Sequence, residues 1–133
     1  MANANLLAIL VAAASGFMVG GLWYGPLFGK AWQREIGLSD DEIKSGNMAK
    51  IFGITFLFSL LSAVFLGHLL SHFDTDFYRT MMISTGIAIG FVAPAIGTNY
   101  LYGHKSGKLF AIDAGYWIAF YAAMGLVFAL LGA

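Results

Sequence analysis

Two histidines and two aspartates lie within nine residues of one another, at His68, His72, Asp74 and Asp76. Side chains four residues apart share one face of a helix, so the histidines could chelate a divalent cation, with a nearby carboxylate as a further ligand. A structural explanation is simpler, because histidine is favourable at a helix C-terminus and Asp-Thr-Asp is common in turns. We expect no resident metal and no cofactor. A metal site or membrane enzyme built on these four residues is the alternative hypothesis.

Six polar and aromatic residues come from three separate parts of the chain: Trp23, Tyr24, Asn99, Tyr100, Asp113 and Tyr116. Tryptophan and tyrosine commonly form a belt where helices leave a lipid bilayer, which accounts for most of this group. The belt accounts less well for Asn99 and Asp113. Asp113 could complement the start of a helix, pair with a cation or close the entrance to a pocket. We treat the six as candidate ligand-binding residues, with the aromatic belt as the alternative.

Charged residues make up only 11% of the 133 residues, whereas 59% are hydrophobic. A soluble domain carries about 25% charged residues, so this chain needs lipid or a very large apolar interface to cover its surface. The formal net charge is zero, which gives no basic field to attract nucleic acid. The chain has no cysteine, so disulfides and thiolate chemistry are excluded. A single domain over residues 1–133 is the natural count for this length.

Four stretches are apolar enough to cross a bilayer as helices, which takes about 20 residues each. They cover residues 6–24, 48–70, 78–101 and 109–131. The fold class is therefore an all-α membrane protein with four transmembrane helices. The middle of each stretch lacks charged residues. A proton pump that works by a carboxylate relay is disfavoured for this reason.

The polar loop after the first stretch has a helical pattern of its own. From Pro26 to Ile36, apolar side chains share one face, while Lys30 and Arg34 lie on the other. This pattern predicts a short amphipathic helix in the membrane interface. Proline suits the first turn of a helix and glycine its end, so we expect Pro26 in the first turn of this helix and Gly37 at its close.

The positive charges are distributed unevenly between the two sides of the predicted membrane domain. Six of the seven lysines and arginines lie in or beside the loops after the first and third stretches, and only Arg79 lies on the other side. By the positive-inside rule, both basic loops face the cytoplasm and both termini lie outside it. Lys105 and Lys108 are placed to contact anionic lipid headgroups.

Each predicted span carries small residues at helical spacing, which are candidate packing positions because helices associate in lipid through small side chains. The glycines singled out are Gly16, Gly20, Gly21, Gly25, Gly86, Gly90 and Gly115. The first span has two adjacent small stripes, more than one thin bundle can bury, so we predict a homo-oligomer. The alternative is that glycine is simply frequent in membrane helices.

The segment Gly21-Leu-Trp-Tyr-Gly-Pro-Leu-Phe-Gly-Lys-Ala-Trp32, followed later by Asp113-Ala-Gly-Tyr116, resembles the domain of unknown function 1761 family of small bacterial membrane proteins. The resemblance covers nearly the whole chain. It implies four membrane spans and no known activity, and it supplies no catalytic residues. With this resemblance, we expect a multi-pass protein of the bacterial inner membrane.

Three hypotheses about function follow. The first is a non-enzymatic, homo-oligomeric pore, carrier or binding protein for a small neutral or lipid-like molecule, with the bilayer and further copies of the chain as partners. The second is the metal-binding protein or enzyme described above. The third is a structural partner of another membrane protein.

Overall fold

The computed structural model describes residues 5–74 and 76–133, and every regular element in this part of the chain is helical. The helices are α1 (Leu6–Leu22), α2 (Gly29–Ile36), α3 (Asp40–Lys44), α4 (Met48–Ser71), α5 (Phe77–Ile87), α6 (Ala93–Tyr102) and α7 (Gly107–Leu131). Two π-helical turns, Trp23–Leu27 and Ala88–Val92, extend α1 and join α5 to α6. Four helices are long and apolar enough to cross a membrane: Leu6–Leu27, Met48–Ser71, Phe77–Tyr102 and Gly107–Leu131. The predicted all-α membrane architecture is confirmed.

The first and fourth spans form the centre of the bundle. Small residues on α1 let the two backbones approach, and large residues of α7 fill the space between them. A Cβ atom at Gly16 would lie only 2.4 Å from the ring of Phe120, a side chain that is 1% exposed. At the far end of the pair, the Asn5 amide donates to the carbonyl oxygens of Leu131 and Gly132, at 2.9 and 3.0 Å. The pair is therefore antiparallel, with the start of α1 beside the end of α7.

The second and third spans each pack on a different helix of this central pair. The second span packs along the first, and the third packs along the fourth. Glycines mark close approaches here as well: a Cβ at Gly67 would lie 2.9 Å from the ring of Phe128, and one at Gly125 would lie 2.6 Å from Ser84. The outward faces carry exposed large apolar side chains, such as Phe65, Phe91 and Leu130. Lipid would cover these faces.

The loop after the first span contains the predicted amphipathic helix, as α2. Gly37 ends it in the left-handed conformation, with φ of 75°. The predicted place of Pro26 in the first turn of this helix was wrong, because Pro26 lies inside the first π-helical turn and α2 begins at Gly29. The chain turns tightly before α2: the Phe28 N–H donates to the Trp23 carbonyl oxygen at 2.8 Å, and a Cβ at Gly29 would lie 2.4 Å from the Tyr24 carbonyl oxygen. Only glycine allows this approach.

The third span changes its helical register just before its proline. The N–H of Ala93 donates to the carbonyl oxygen of Ala88, five residues earlier, and Pro94 follows in the first turn of α6. Because Pro94 has no N–H, it cannot continue the normal hydrogen-bond pattern, and a π-helical turn is a usual way to absorb such a break. The third span is therefore divided into a packed first half, α5, and a second half, α6, that has no buried residue.

Candidate functional site

A buried carboxylate joins three spans at one end of the bundle. Asp113 is only 7% exposed. The hydroxyl of Tyr24, from the end of the first span, donates to its Oδ1 atom at 2.5 Å. The hydroxyl of Tyr100, from the end of the third span, donates to its Oδ2 atom. We call Tyr24, Tyr100 and Asp113 the carboxylate clasp.

The first π-helical turn places Tyr24 within the clasp. Beside it, the Trp23 indole N–H donates to the Ile112 carbonyl oxygen at 2.9 Å. A Cβ at Gly115 would lie 2.9 Å from the Trp23 ring, so a glycine on α7 makes room for this ring. The two contacts hold the end of the first span against α7 and direct the neighbouring phenol toward Asp113.

Aromatic rings surround Tyr24. Its ring centroid lies 5.1 Å from that of Tyr116, on α7, and 5.5 Å from that of Trp32, on α2. Both pairs have the edge-to-face geometry that aromatic side chains prefer. The amphipathic helix α2 therefore packs against the site through Trp32.

Tyr100 reaches Asp113 from α6, the loosely packed half of the third span. A Cβ at Gly97 would lie 3.0 Å from the Phe110 ring, and the rings of Tyr100 and Phe110 are 6.5 Å apart. Apart from these contacts of α6 with α7, most of its surface is exposed. The hydrogen bond to Asp113 is therefore a principal polar attachment of α6 to the rest of the bundle.

The carboxylate is held by hydrogen bonds rather than by a cation. Within residues 5–74 and 76–133, the side-chain partners of Asp113 are the two phenols, and no lysine, arginine or histidine pairs with it. Charge-assisted hydrogen bonds are stronger than neutral ones and offset part of the cost of burial. Asp113 also lies in the second turn of α7, which begins at Gly107. The helix dipole acts mainly within the first turn, so it does not account for this residue.

The structure brings five of the six candidate ligand-binding residues together. Trp23, Tyr24, Tyr100, Asp113 and Tyr116 contact one another or the same segment of α7. Asn99 is exposed on α6, and its side chain forms no hydrogen bond within the described part of the chain.

Several contributors were missed by the sequence reasoning. Trp32, Phe110, Gly97 and the Ile112 carbonyl lie in or beside the clasp. The spacing of Gly97 before Tyr100 was a usable signal, because a small residue one turn before a phenol lets its helix approach a neighbour.

The seven candidate packing glycines fall into two groups. Gly16, Gly20 and Gly115 face aromatic rings of a neighbouring span, so they serve packing within the chain. The others have open space at the Cβ position within the described structure: Gly21, Gly25, Gly86 and Gly90. They lie on the first and third spans and are exposed.

The four candidate metal ligands His68, His72, Asp74 and Asp76 do not all come together. The Nε2 atoms of His68 and His72 lie 3.2 Å apart. Asp76 instead caps α5, accepting from the Arg79 N–H at 2.7 Å. No group of three or more His, Asp or Glu side chains within residues 5–74 and 76–133 is close enough to hold a metal ion.

Lys105 and Lys108 are exposed at the same end of the bundle as Asp113. Between them, the Ser106 hydroxyl donates to Oε1 of Glu35, at 2.6 Å. The third loop is thereby attached to α2, which carries the exposed cations Lys30 and Arg34. The structure brings two basic segments, distant in sequence, to one end of the molecule.

Four apolar spans, of which the first and fourth form a central antiparallel pair, define a multi-pass integral membrane protein. Residues 7–129 match the family model described as "Protein of unknown function (DUF1761)", and the chain belongs to this family. No curated protein and no solved structure matches the chain.

Proposed function

We propose that this protein is a self-associating, non-enzymatic membrane protein that binds a small neutral or lipid-like molecule at the carboxylate clasp. The observation that carries the proposal is the buried Asp113 carboxylate, which holds phenols from two different spans and pairs with no cationic side chain of the described residues. Buried polar groups inside membrane proteins are costly and usually functional.

The chemistry of the clasp favours a ligand with a hydroxyl or amide donor. An ionised carboxylate offers about four acceptor positions, and the two phenols occupy two of them. A ligand donor could use a remaining position or replace one phenol. The surrounding rings of Trp23 and Tyr116 offer apolar surface for the ligand's body, and the adjoining bilayer would accommodate a hydrocarbon tail.

Entry is easiest beside α6. This half-span has no buried residue, and a π-helical turn separates it from α5. Movement of α6 would release Tyr100 from Asp113, while Tyr24, packed against Tyr116 and Trp32, would stay in place. The Asp113 carboxylate would then accept from a ligand hydroxyl instead of from Tyr100. Because one hydrogen bond replaces another, the exchange would be nearly neutral in free energy.

Self-association is supported by the unpartnered glycine faces on the first and third spans. The four open glycines expose backbone where membrane helices would otherwise present bulky side chains. Close approach of a second copy would give these faces the packing that lipid cannot supply. Gly86→Leu, in the pair of open glycines Gly86 and Gly90 one turn apart, is therefore expected to reduce self-association in lipid. Gly53→Leu is the matched control, because Gly53 on the second span is open but has no second glycine one turn away.

The distribution of positive charge supports one orientation in the membrane. We infer that the clasp, α2 and the two basic loops lie at the cytoplasmic face of the bacterial inner membrane, with both termini on the other side. Lys105 and Lys108 would then meet the anionic lipids of the cytoplasmic leaflet, together with Lys30 and Arg34 on α2.

The test is to identify co-purifying molecules. The full-length protein is purified in mild detergent, and native mass spectrometry and solvent extraction record bound small molecules. We expect a bound molecule in the parent protein, its loss in Asp113→Asn, and its retention in Tyr102→Phe, which alters an exposed phenol of α6. A parent protein free of bound molecules, or equal occupancy in Asp113→Asn, would contradict the proposal.

A further inference from the structure

Two histidines form a close pair at the opposite end of the bundle from the clasp. His68 and His72 lie one turn apart at the C-terminal end of α4, and both are exposed. The two Nε2 atoms are 3.2 Å apart, and the two ring centroids are 4.6 Å apart. We propose that this pair binds a late first-row transition-metal dication such as Zn²⁺. The proposal does not rest on the function proposed above, because it uses different residues at the other end of the spans.

The separation of the two nitrogens suits a shared metal. Zinc binds imidazole nitrogen at about 2.0–2.1 Å with tetrahedral geometry, which sets two ligand nitrogens about 3.4 Å apart. The observed distance of 3.2 Å is close to this value. Because both rings are exposed, they can turn the small amount needed to direct both lone pairs at one ion.

The proton balance of metal binding is simple. Without metal, one Nε2–H donates to the other Nε2 atom. Metal binding requires both Nε2 atoms to be unprotonated, so the proton on the donor ring moves to its Nδ1 atom. The ion then replaces the hydrogen bond between the rings, and no net proton is released.

The groups around the histidine pair favour a bound cation, and two protein ligands give a site of modest affinity. The last carbonyl groups of α4 give its C-terminus partial negative charge, and the exposed Asp74 follows within the same turn region. Asp76 is occupied as the cap of α5. With two protein ligands, water would fill the other coordination positions. Imidazole ligands prefer Zn²⁺, Cu²⁺ or Ni²⁺, whereas Mg²⁺ and Ca²⁺ prefer oxygen.

The experiment measures Zn²⁺ binding to the full-length protein in detergent after chelator treatment, by equilibrium dialysis and elemental analysis. We expect one Zn²⁺ per chain and no competition by Mg²⁺. Loss of one ligand from a chelating pair weakens metal binding by roughly a hundredfold. We therefore expect His68→Ala and His72→Ala each to weaken Zn²⁺ binding by about this factor. His104→Ala is the matched control, because His104 is an exposed histidine in the loop at the other end of the bundle.

Unchanged Zn²⁺ affinity in both His68→Ala and His72→Ala would overturn the proposal, as would equal weakening in His104→Ala. His68→Gln serves as a second variant if His68→Ala does not fold. Loss of metal binding from this folded variant supports the site, and unchanged binding refutes it. A molecule bound at the clasp is measured in a separate assay. Failure of the Zn²⁺ proposal therefore does not affect the test of the proposed function, and the reverse also holds.

Discussion

Replacing Gly16 by alanine tests the central contact between the first and fourth spans. Phe120 lies directly over this glycine, and its ring is nearly inaccessible. Gly21 lies five residues further along the same helix and has open space at its Cβ position. Gly16→Ala and Gly21→Ala therefore add the same methyl group to one helix, once into a packed interface and once onto an open face.

The two substitutions are expected to differ in their effect on the unfolding free energy. A Cβ at Gly16 would lie 2.4 Å from Cε2 and 2.7 Å from Cδ2 of Phe120. Carbon atoms pack at about 3.5–4.0 Å, so the ring or the two spans must move by about 1 Å. Overpacking costs about 1–3 kcal/mol, and alanine regains about 0.5–1 kcal/mol over glycine in a helix. We expect Gly16→Ala to lose roughly 1–2 kcal/mol of unfolding free energy and Gly21→Ala to lose none when the protein is monomeric.

Unfolding in mixed micelles of mild detergent and sodium dodecyl sulfate measures this difference. Far-ultraviolet circular dichroism and tryptophan fluorescence report the transition, and the free energies are compared at one detergent composition. Equal free energies for Gly16→Ala and Gly21→Ala would refute the close packing of Gly16 against Phe120. A large loss in Gly21→Ala alone would show that the open face is already packed against another chain.

Three further outcomes follow from the structure. Tyr24→Phe removes a donor to a buried carboxylate and is expected to cost about 1.5–3 kcal/mol of unfolding free energy in the same assay, whereas Tyr102→Phe should cost little. Replacing Lys105 and Lys108 together by glutamine should lower the amount of anionic phospholipid that remains bound after detergent purification; an unchanged amount would contradict the lipid contact. Since the chain has no cysteine, single cysteines at Lys108 and Ser71 should report the membrane orientation. A membrane-impermeant maleimide should label the Ser71 position in spheroplasts and the Lys108 position only after lysis, and the reverse pattern would invert the topology.

The clasp shows how far the candidate site could be predicted. Asp113 and the aromatic residues were recognisable, because a carboxylate and several phenols near span ends are unusual in so apolar a sequence. Their pairing was not, since Tyr24, Tyr100 and Asp113 are brought together only when three spans meet. Asn99 had the same kind of sequence signal as Tyr100, but it lies on the exposed side of α6.

The glycines show the same limit. Gly16 and Gly21 have similar sequence surroundings, yet one faces Phe120 and the other faces open space. In a soluble helix, apolar periodicity indicates the buried face. In a membrane helix, lipid and protein interior are both apolar, so this pattern does not distinguish them.

The sequence by itself determined the four spans, the amphipathic helix after the first span and the family resemblance. Hydropathy and helical spacing are local properties, and backbone groups in lipid must form their hydrogen bonds within a helix. Only the tertiary structure decided which spans touch, which glycines admit a neighbouring ring and which phenols reach Asp113. Those outcomes depend on the fit between side chains of different spans, which no single segment of the sequence contains.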